Sequence, residues 1–243
     1  MALHNTKGII LVSRVINESD VAADVLTETS GICSFVFKSL KKSHRRPQAI
    51  LEPGSIADFS CYRKGSGTSY VSDYRIIFHP APIAASYEKI LILHLMVEII
   101  RKTTGEGAHD AYLFSFLQKA IERLSGEGDA YTLMMFFLLH LLRHGGILPD
   151  FSQPVILTLE RSCIELNFYP QELTFMNAAL NGKYSNTQNL PAEATRNIIF
   201  NLLLYLEHYY SIILNGKKLL FSKSTTEISV RQSVAEVNRL LHK

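Results

Sequence analysis

GIILVSRVI (residues 8–16), NESD (17–20), VAADVLT (21–27) and GICSFVFK (31–38) decide how the N-terminal third of this chain folds. β-branched, apolar runs alternate with short polar turns, and none has the length or period of a helix. Working outward, Ala49 to Leu51 and Pro53-Gly54 lead into Ile56 to Tyr62. Lys64-Gly65-Ser66-Gly67-Thr68 then supplies a Gly-rich hairpin loop before Ser69 to Phe78, which stops at Pro80 and Pro82. Five or six strands within the first 80 residues predict a small antiparallel barrel, because closure removes exposed edges.

The period changes after Ala84. Tyr87, Ile90, Leu91, His94, Leu95 and Val97 follow a helical spacing, with Arg101 and Lys102 in the last turn and Gly105 beyond. A second helix is expected from Asp110 to Leu124, capped by Asp110 and ended by Gly126. A third runs from Asp129 to His144; its Leu133 to Leu139 stretch is apolar all round and marks the centre of a bundle. Pro154 to Leu159 and Cys163 to Phe168 are able to pair as a hairpin, Glu172 to Leu180 reads as a short helix and Ala192 to Leu214 as a long one. In the polar tail from Ser222, Val230, Val234, Val237, Leu240 and Leu241 allow one more amphipathic helix. The predicted class is α+β with two domains, a β-barrel over residues 1–80 and a mainly α-helical domain over 81–243.

The chain has 243 residues, 47% hydrophobic and 19% charged, which excludes disordered, collagen-like and disulfide-scaffold classes. Cys33, Cys61 and Cys163 contain no CxxC pair, so neither a disulfide framework nor a zinc ribbon follows. Cys33 and Cys61 sit on different expected strands, where buried free thiols are the common outcome. With no basic-then-apolar leader and no uninterrupted membrane-length run, a cytosolic protein is expected. Net charge is +3, and the excess lies in the first third: ten Lys and Arg against seven Asp and Glu before residue 81, then fifteen against fifteen. Lys38, Lys41, Lys42, Arg45 and Arg46 fall within nine residues that hold no acid, beside His44.

Neither GxxxxGK[ST] nor a well-placed GxGxxG occurs, and there is no GxSxG elbow, so ATP hydrolysis, a cofactor and nucleophilic catalysis are not expected. His140 and His144 have metal-ligand spacing, but Leu141 stands where HExxH needs Glu; they read as helix-end histidines rather than a hydrolase centre. The basic cluster has two readings. It is a solvated loop, as most charge runs are, or a phosphate-contacting loop with Arg63 and Lys64 on a neighbouring hairpin. Favouring the second, Phe35, Phe37, Phe59, Tyr62, Tyr70, Tyr74 and Phe78 populate the strands around it, and small barrels bind single strands with cationic grooves and aromatic platforms.

Gly8-Ile9-Ile10-Leu11, Arg14, Glu18-Ser19-Asp20 and Leu26-Thr27-Glu28 with Gly31 resemble the opening of the bacterial DNA repair protein family RecO. The segment ending in Arg45-Arg46, the Leu51-Glu52-Pro53 after it, and His144-Gly145-Gly146-Ile147-Leu148-Pro149-Asp150 extend the resemblance over nearly the whole chain. It implies an N-terminal OB-fold, a helical domain and, in many members, a zinc-binding insertion. It also implies binding of single- and double-stranded DNA, annealing of complementary strands, and cooperation with RecR to load RecA on strands coated by single-stranded DNA-binding protein (SSB). The acidic, apolar C-terminal tail of SSB is an implied partner of the helical domain, and the location is cytoplasmic and nucleoid-associated. Only Cys163 remains where zinc-binding members have cysteine pairs, so no metal is expected and residues 150–170 read as a metal-free remnant of that insertion. Lys38, Lys41, Lys42, Arg45, Arg46, Arg63 and Lys64 are the expected DNA contacts. The alternative is a helical protein-binding scaffold without direct DNA binding.

Overall fold

The computed structural model describes residues 3–63, 68–105, 108–159, 162–181 and 190–221. The chain divides into two compact units, Met1–Gly128 and Asp129–Lys243.

The first unit opens with β1 (Leu3–Val15), β2 (Val21–Thr27), β3 (Gly31–Phe37), β4 (Ile56–Arg63) and β5 (Ser69–Phe78). The first half of β1 pairs with β4 and the second half with β2, both antiparallel, and an irregular step between Ile10 and Val12 lets the strand bend from one partner to the other. The order β1-β2-β3-β5-β4 therefore closes on itself. This is the connectivity of an OB-fold. One junction departs from the expected antiparallel barrel: β3 runs parallel to β5, through Phe35–Ser69, Val36–Tyr70 and Phe37–Val71. Alternation sends Ile10, Val25, Phe35, Phe37, Phe59 and Val71 into the interior. Phe35 and Phe59 meet edge to face there at 5.2 Å between centroids, the arrangement that ring quadrupoles favour.

Helices α1 (Ala81–Ala84), α2 (Tyr87–Thr103) and α3 (Ala111–Ser125) belong to the same unit as the barrel. Residue 80 marks the change from strand to helix, but the compact division falls after Gly128. Close packing explains the difference. Gly31 has φ +64°, and a Cβ added there would stand 2.3 Å from the Ala108 carbonyl oxygen, so only glycine allows the approach. Arg101 Nε donates to Asp24 Oδ2 at 3.2 Å, and a His109 ring nitrogen lies 3.1 Å from the Glu28 carbonyl oxygen.

In the second unit, α4 (Ala130–His144) is capped by Asp129, whose carboxylate accepts from the Thr132 N–H at 2.6 Å. The helix ends at Gly145-Gly146, where Gly146 takes φ 67°. Strands β6 (Val155–Leu159) and β7 (Ser162–Leu166) form the expected hairpin. Helices α5 (Pro170–Asn181), α6 (Ala192–Tyr210) and α7 (Asn215–Phe221) follow. The helix expected from Ala192 to Leu214 is corrected at its end: it stops at Tyr210, and α7 begins beyond the expected span, at Asn215. Ser211 takes a left-handed φ of 52°, and Ile212 N–H turns back to the Glu207 carbonyl. The Glu207 carboxylate then accepts from the Leu214 N–H at 2.7 Å and pairs with Lys217 in the first turn of α7. Buried Glu172 reaches back to the Tyr169 N–H at 3.0 Å at the start of α5; burial raises its pKa against the hydrogen bonds from Tyr169 and Asn197. The amphipathic stretch from Val230 to Leu241 lies outside the described residues. Among the described residues no helix is long and apolar enough to cross a membrane.

Candidate nucleic-acid interface

The basic cluster occupies the connection between β3 and β4, and it is anchored along its length. Leu40 and Ile50, both fully buried, join the barrel core from two short 3₁₀ turns, Leu40–Lys42 and Gln48–Leu51. The second turn stands where a β-prone run was expected at Ala49 to Leu51; it gives no ladder pairing but lets Ile50 point inward. The β1–β2 turn supplies the polar anchor. Asn17 Oδ1 accepts from the Ser19 and Asp20 N–H groups at 2.9 and 2.8 Å, which shapes the turn and aims Asp20 at the segment. Asp20 Oδ1 accepts from the Ser39 N–H at 2.7 Å, and Lys41 N–H donates to the Ser19 carbonyl at 3.1 Å. The Ser39 N–H, ahead of Asn17, is the main cause that holds the Asp20 carboxyl down at about 2. Ser39 itself takes φ 52°, an unusual value for a residue with a Cβ.

Within this frame the five cations separate. Arg46 is half-buried: its Nη1 donates to the Lys38 carbonyl at 3.0 Å, and its guanidinium stacks 5.4 Å from the Tyr74 ring centroid. The Tyr74 hydroxyl donates to the Pro47 carbonyl at 2.6 Å, so both ends of the segment are tied to β5. Lys38 is exposed, with Nζ 3.5 Å from Asp20 Oδ2 and 5.6 Å from the Tyr70 centroid. Lys42 and Glu18 approach only to 3.8 Å, both largely in solvent, an ion pair of little strength. Lys41 and Arg45 are exposed, and no described residue forms an ion pair with either. Arg63 is the last residue of β4, opposite Ser69; its side chain, and all of Lys64, lie outside the described residues.

The aromatics separate too. Phe35, Phe37 and Phe59 are core, Phe78 is half-buried, and Tyr74 packs on the core from its rim. Tyr62 and Tyr70 pair across β4 and β5 on the outer face, half-buried and stacked at 5.6 Å with 20° between planes. Sequence reading missed that pairing because it depends on the register of the hairpin. A further miss, the anchoring role of Asp20, had a visible signal: Asn17-Glu18-Ser19-Asp20 was legible as a turn, but not what the turn holds.

The other flagged residues do not converge. His140 stacks on Phe136 at 6.5 Å within α4, His144 lies exposed at the end of that helix, and among the described residues no group of three His, Cys, Asp or Glu side chains is placed to hold a metal. All three cysteines are free. Burial, then the neighbouring Cys33, pushes the Cys61 thiol up to about 12, which suits an inert core residue.

Two family descriptions match the chain: recombination protein O N terminal over residues 1–79, and recombination protein O C terminal over 84–157. The chain belongs to the RecO family. Among curated RecO relatives, the DNA repair protein RecO of Streptococcus agalactiae serotype Ia is 28% identical over 155 residues, 64% of this chain and 60% of that protein. Those of Streptococcus mutans serotype c and Streptococcus pyogenes serotype M49 are each 26% identical, over 64% and 69% of this chain and 61% and 65% of their own lengths. Among solved structures, Entamoeba histolytica asparaginyl-tRNA synthetase covers 86% of this chain and 55% of its own at a TM-score of 0.28 and 10% identity. The RecO match places its own division between residues 79 and 84, where strand gives way to helix, and ends within β6 at residue 157, leaving the rest of the β6–β7 hairpin outside it.

Proposed function

We propose that this chain is a DNA-binding recombination mediator. It binds single- and double-stranded DNA, anneals complementary strands and, with RecR and the SSB C-terminal tail, helps load RecA on SSB-coated single strands. It catalyses no reaction and works in the cytoplasm, associated with the nucleoid. RecO-family membership supports the class, and one observation carries the site: Lys41 and Arg45 project into solvent from a segment fixed by Leu40, Ile50 and Asp20.

Cations placed in this way neutralise phosphates and release condensed counterions, and two strands on one such surface repel each other less, so base pairing follows. Lys38 and Lys42 join by exchanging weak ion pairs for phosphates, while Arg46 acts mainly by holding the segment. Arg63 and Lys64 provide a second contact beside the β4–β5 loop, and residues 150–170 are the metal-free counterpart of a zinc-binding insertion. The test is affinity for an oligonucleotide as a function of salt, followed by annealing of SSB-coated complementary strands. Steep salt dependence with annealing supports the reading; binding that ignores salt leaves the protein scaffold instead.

A further inference from the structure

Tyr62 and Tyr70 are placed for more than the strength of the ladder. A cross-strand aromatic pair ordinarily serves to stabilise a hairpin, and a stack of this kind needs no neighbouring charge. Here the pair lies at the loop end of the β4–β5 hairpin, within reach of Lys38 from the basic segment. Register sets Leu3 of β1 opposite Tyr62 and Val36 of β3 opposite Tyr70, so one row runs Leu3, Tyr62, Tyr70, Val36 across four strands of the outer face. Leu3, at one end of the row, is 64% exposed. Lys38, two residues beyond Val36, sets its ammonium 5.6 Å from the Tyr70 centroid. Away from the loop, Cys61 pairs with Val71 and then, past an irregular step, Ser60 with Asp73, and Asp73 is exposed. Because β3 runs parallel to β5, Lys38 lies on the same side of the row as Asp73, and it is the cation that reaches the row.

We propose that Tyr62 and Tyr70 form a base-stacking step for single-stranded DNA, with Lys38 taking the phosphate beside the stacked base. The inference rests on the DNA-binding reading above and adds where the bases go. A strand whose backbone follows Lys38, Lys41 and Arg45 meets the Tyr62–Tyr70 pair with its bases. Every base has a π-face, so the step tolerates sequence. A duplex, with its bases stacked and paired, gains nothing from it. Lys38 is able to make the exchange because its contact with Asp20 is long, at 3.5 Å, and its own side chain is exposed.

The experiment compares an oligodeoxythymidylate, an abasic oligomer of equal length and a duplex, bound to the full chain and to Tyr62→Leu, Tyr70→Leu, Tyr62→Phe and Tyr70→Phe variants. The chain contains no Trp and 11 Tyr, so the part of the tyrosine quenching that disappears in the Tyr62 and Tyr70 variants reports stacking at the pair. The wild type should bind the thymidylate about 5- to 150-fold more tightly than the abasic oligomer, with quenched emission. Each Leu variant should lose most of that preference while its salt slope and duplex affinity stay at wild-type values, and the Phe variants should keep it. If a Leu variant does not fold, the abasic comparison on the wild type and the Phe variants still decides. Equal affinity of the wild type for intact and abasic strands overturns the stacking step and leaves phosphate binding standing. Absence of binding to all three probes at low salt overturns the DNA reading itself.

Discussion

In α4, Leu133 through Leu139 are consecutive buried residues, whereas the β3–β4 segment buries Leu40 and Ile50 singly among exposed lysines, arginines and glutamine. The helix satisfies its backbone internally, so it can hide wherever apolar partners surround it. The segment has no such ladder. Its path is set by two apolar plugs, one carboxylate on the Ser39 N–H, and one guanidinium stacked on Tyr74. A charge run becomes a positioned surface only when scarce anchors of this kind fix it, and each anchor then matters as much as a core residue.

That equivalence is the first thing to break. Leu40→Ala or Ile50→Ala should each cost about 2–5 kcal/mol, as much as Leu138→Ala in α4, because each vacates a packed site. Denaturant unfolding measures the cost, and hydrogen exchange locates it in residues 3–63. A cost below about 1 kcal/mol for Leu40→Ala would mean that the segment is a loose loop.

Arg46 and Arg45 sharpen the comparison at the next level down. Arg46→Ala removes a charged hydrogen bond to the Lys38 carbonyl and the stack on Tyr74, which should cost about 1–2 kcal/mol. Arg45→Ala should stay within about 0.5 kcal/mol of wild type, as exposed substitutions do. Thermal midpoints of the two variants test the difference, and equal midpoints would put Arg46 back among the solvated cations.

The smallest effect is set by pH. The Asp20 carboxyl is held at about 2 in the fold against an ordinary 3.8, so its contribution is present above the ordinary value and is lost as pH falls through about 2. The Ser39 amide should titrate with that low midpoint and lose exchange protection on protonation. In Asp20→Asn the transition should vanish. A Ser39 amide that titrates near 4 would show that the carboxylate does not hold the segment.

Most of the architecture was legible because most of it is periodic. β2 and β5 fall on the expected residues, as does Asp110 as a helix cap, since alternation, helical spacing and acidic N-caps are local signals. What was not legible is non-local. Gly31 read as a turn residue, yet it also lets Ala108 approach, and with Arg101 on Asp24 it draws helices α1 to α3 into the barrel's unit. Ile212, Ile213 and Leu214 continue the helical period past Ser211, and no Gly or Pro announces the break. The basic cluster was visible as charge, but not its sorting into anchored Arg46 and exposed Lys41 and Arg45. That sorting depends on Tyr74, far along the sequence.

The central claim is that exposed cations on an anchored segment contact phosphate, and the most direct test is the salt dependence of single-strand binding by the Lys41→Ala/Arg45→Ala double variant. With two phosphates no longer neutralised, the slope of log affinity against log salt should flatten by about 1.4, at a thermal midpoint unchanged from wild type and with no dependence on oligonucleotide sequence. A slope equal to that of the wild type would contradict the account and move DNA binding away from the β3–β4 segment.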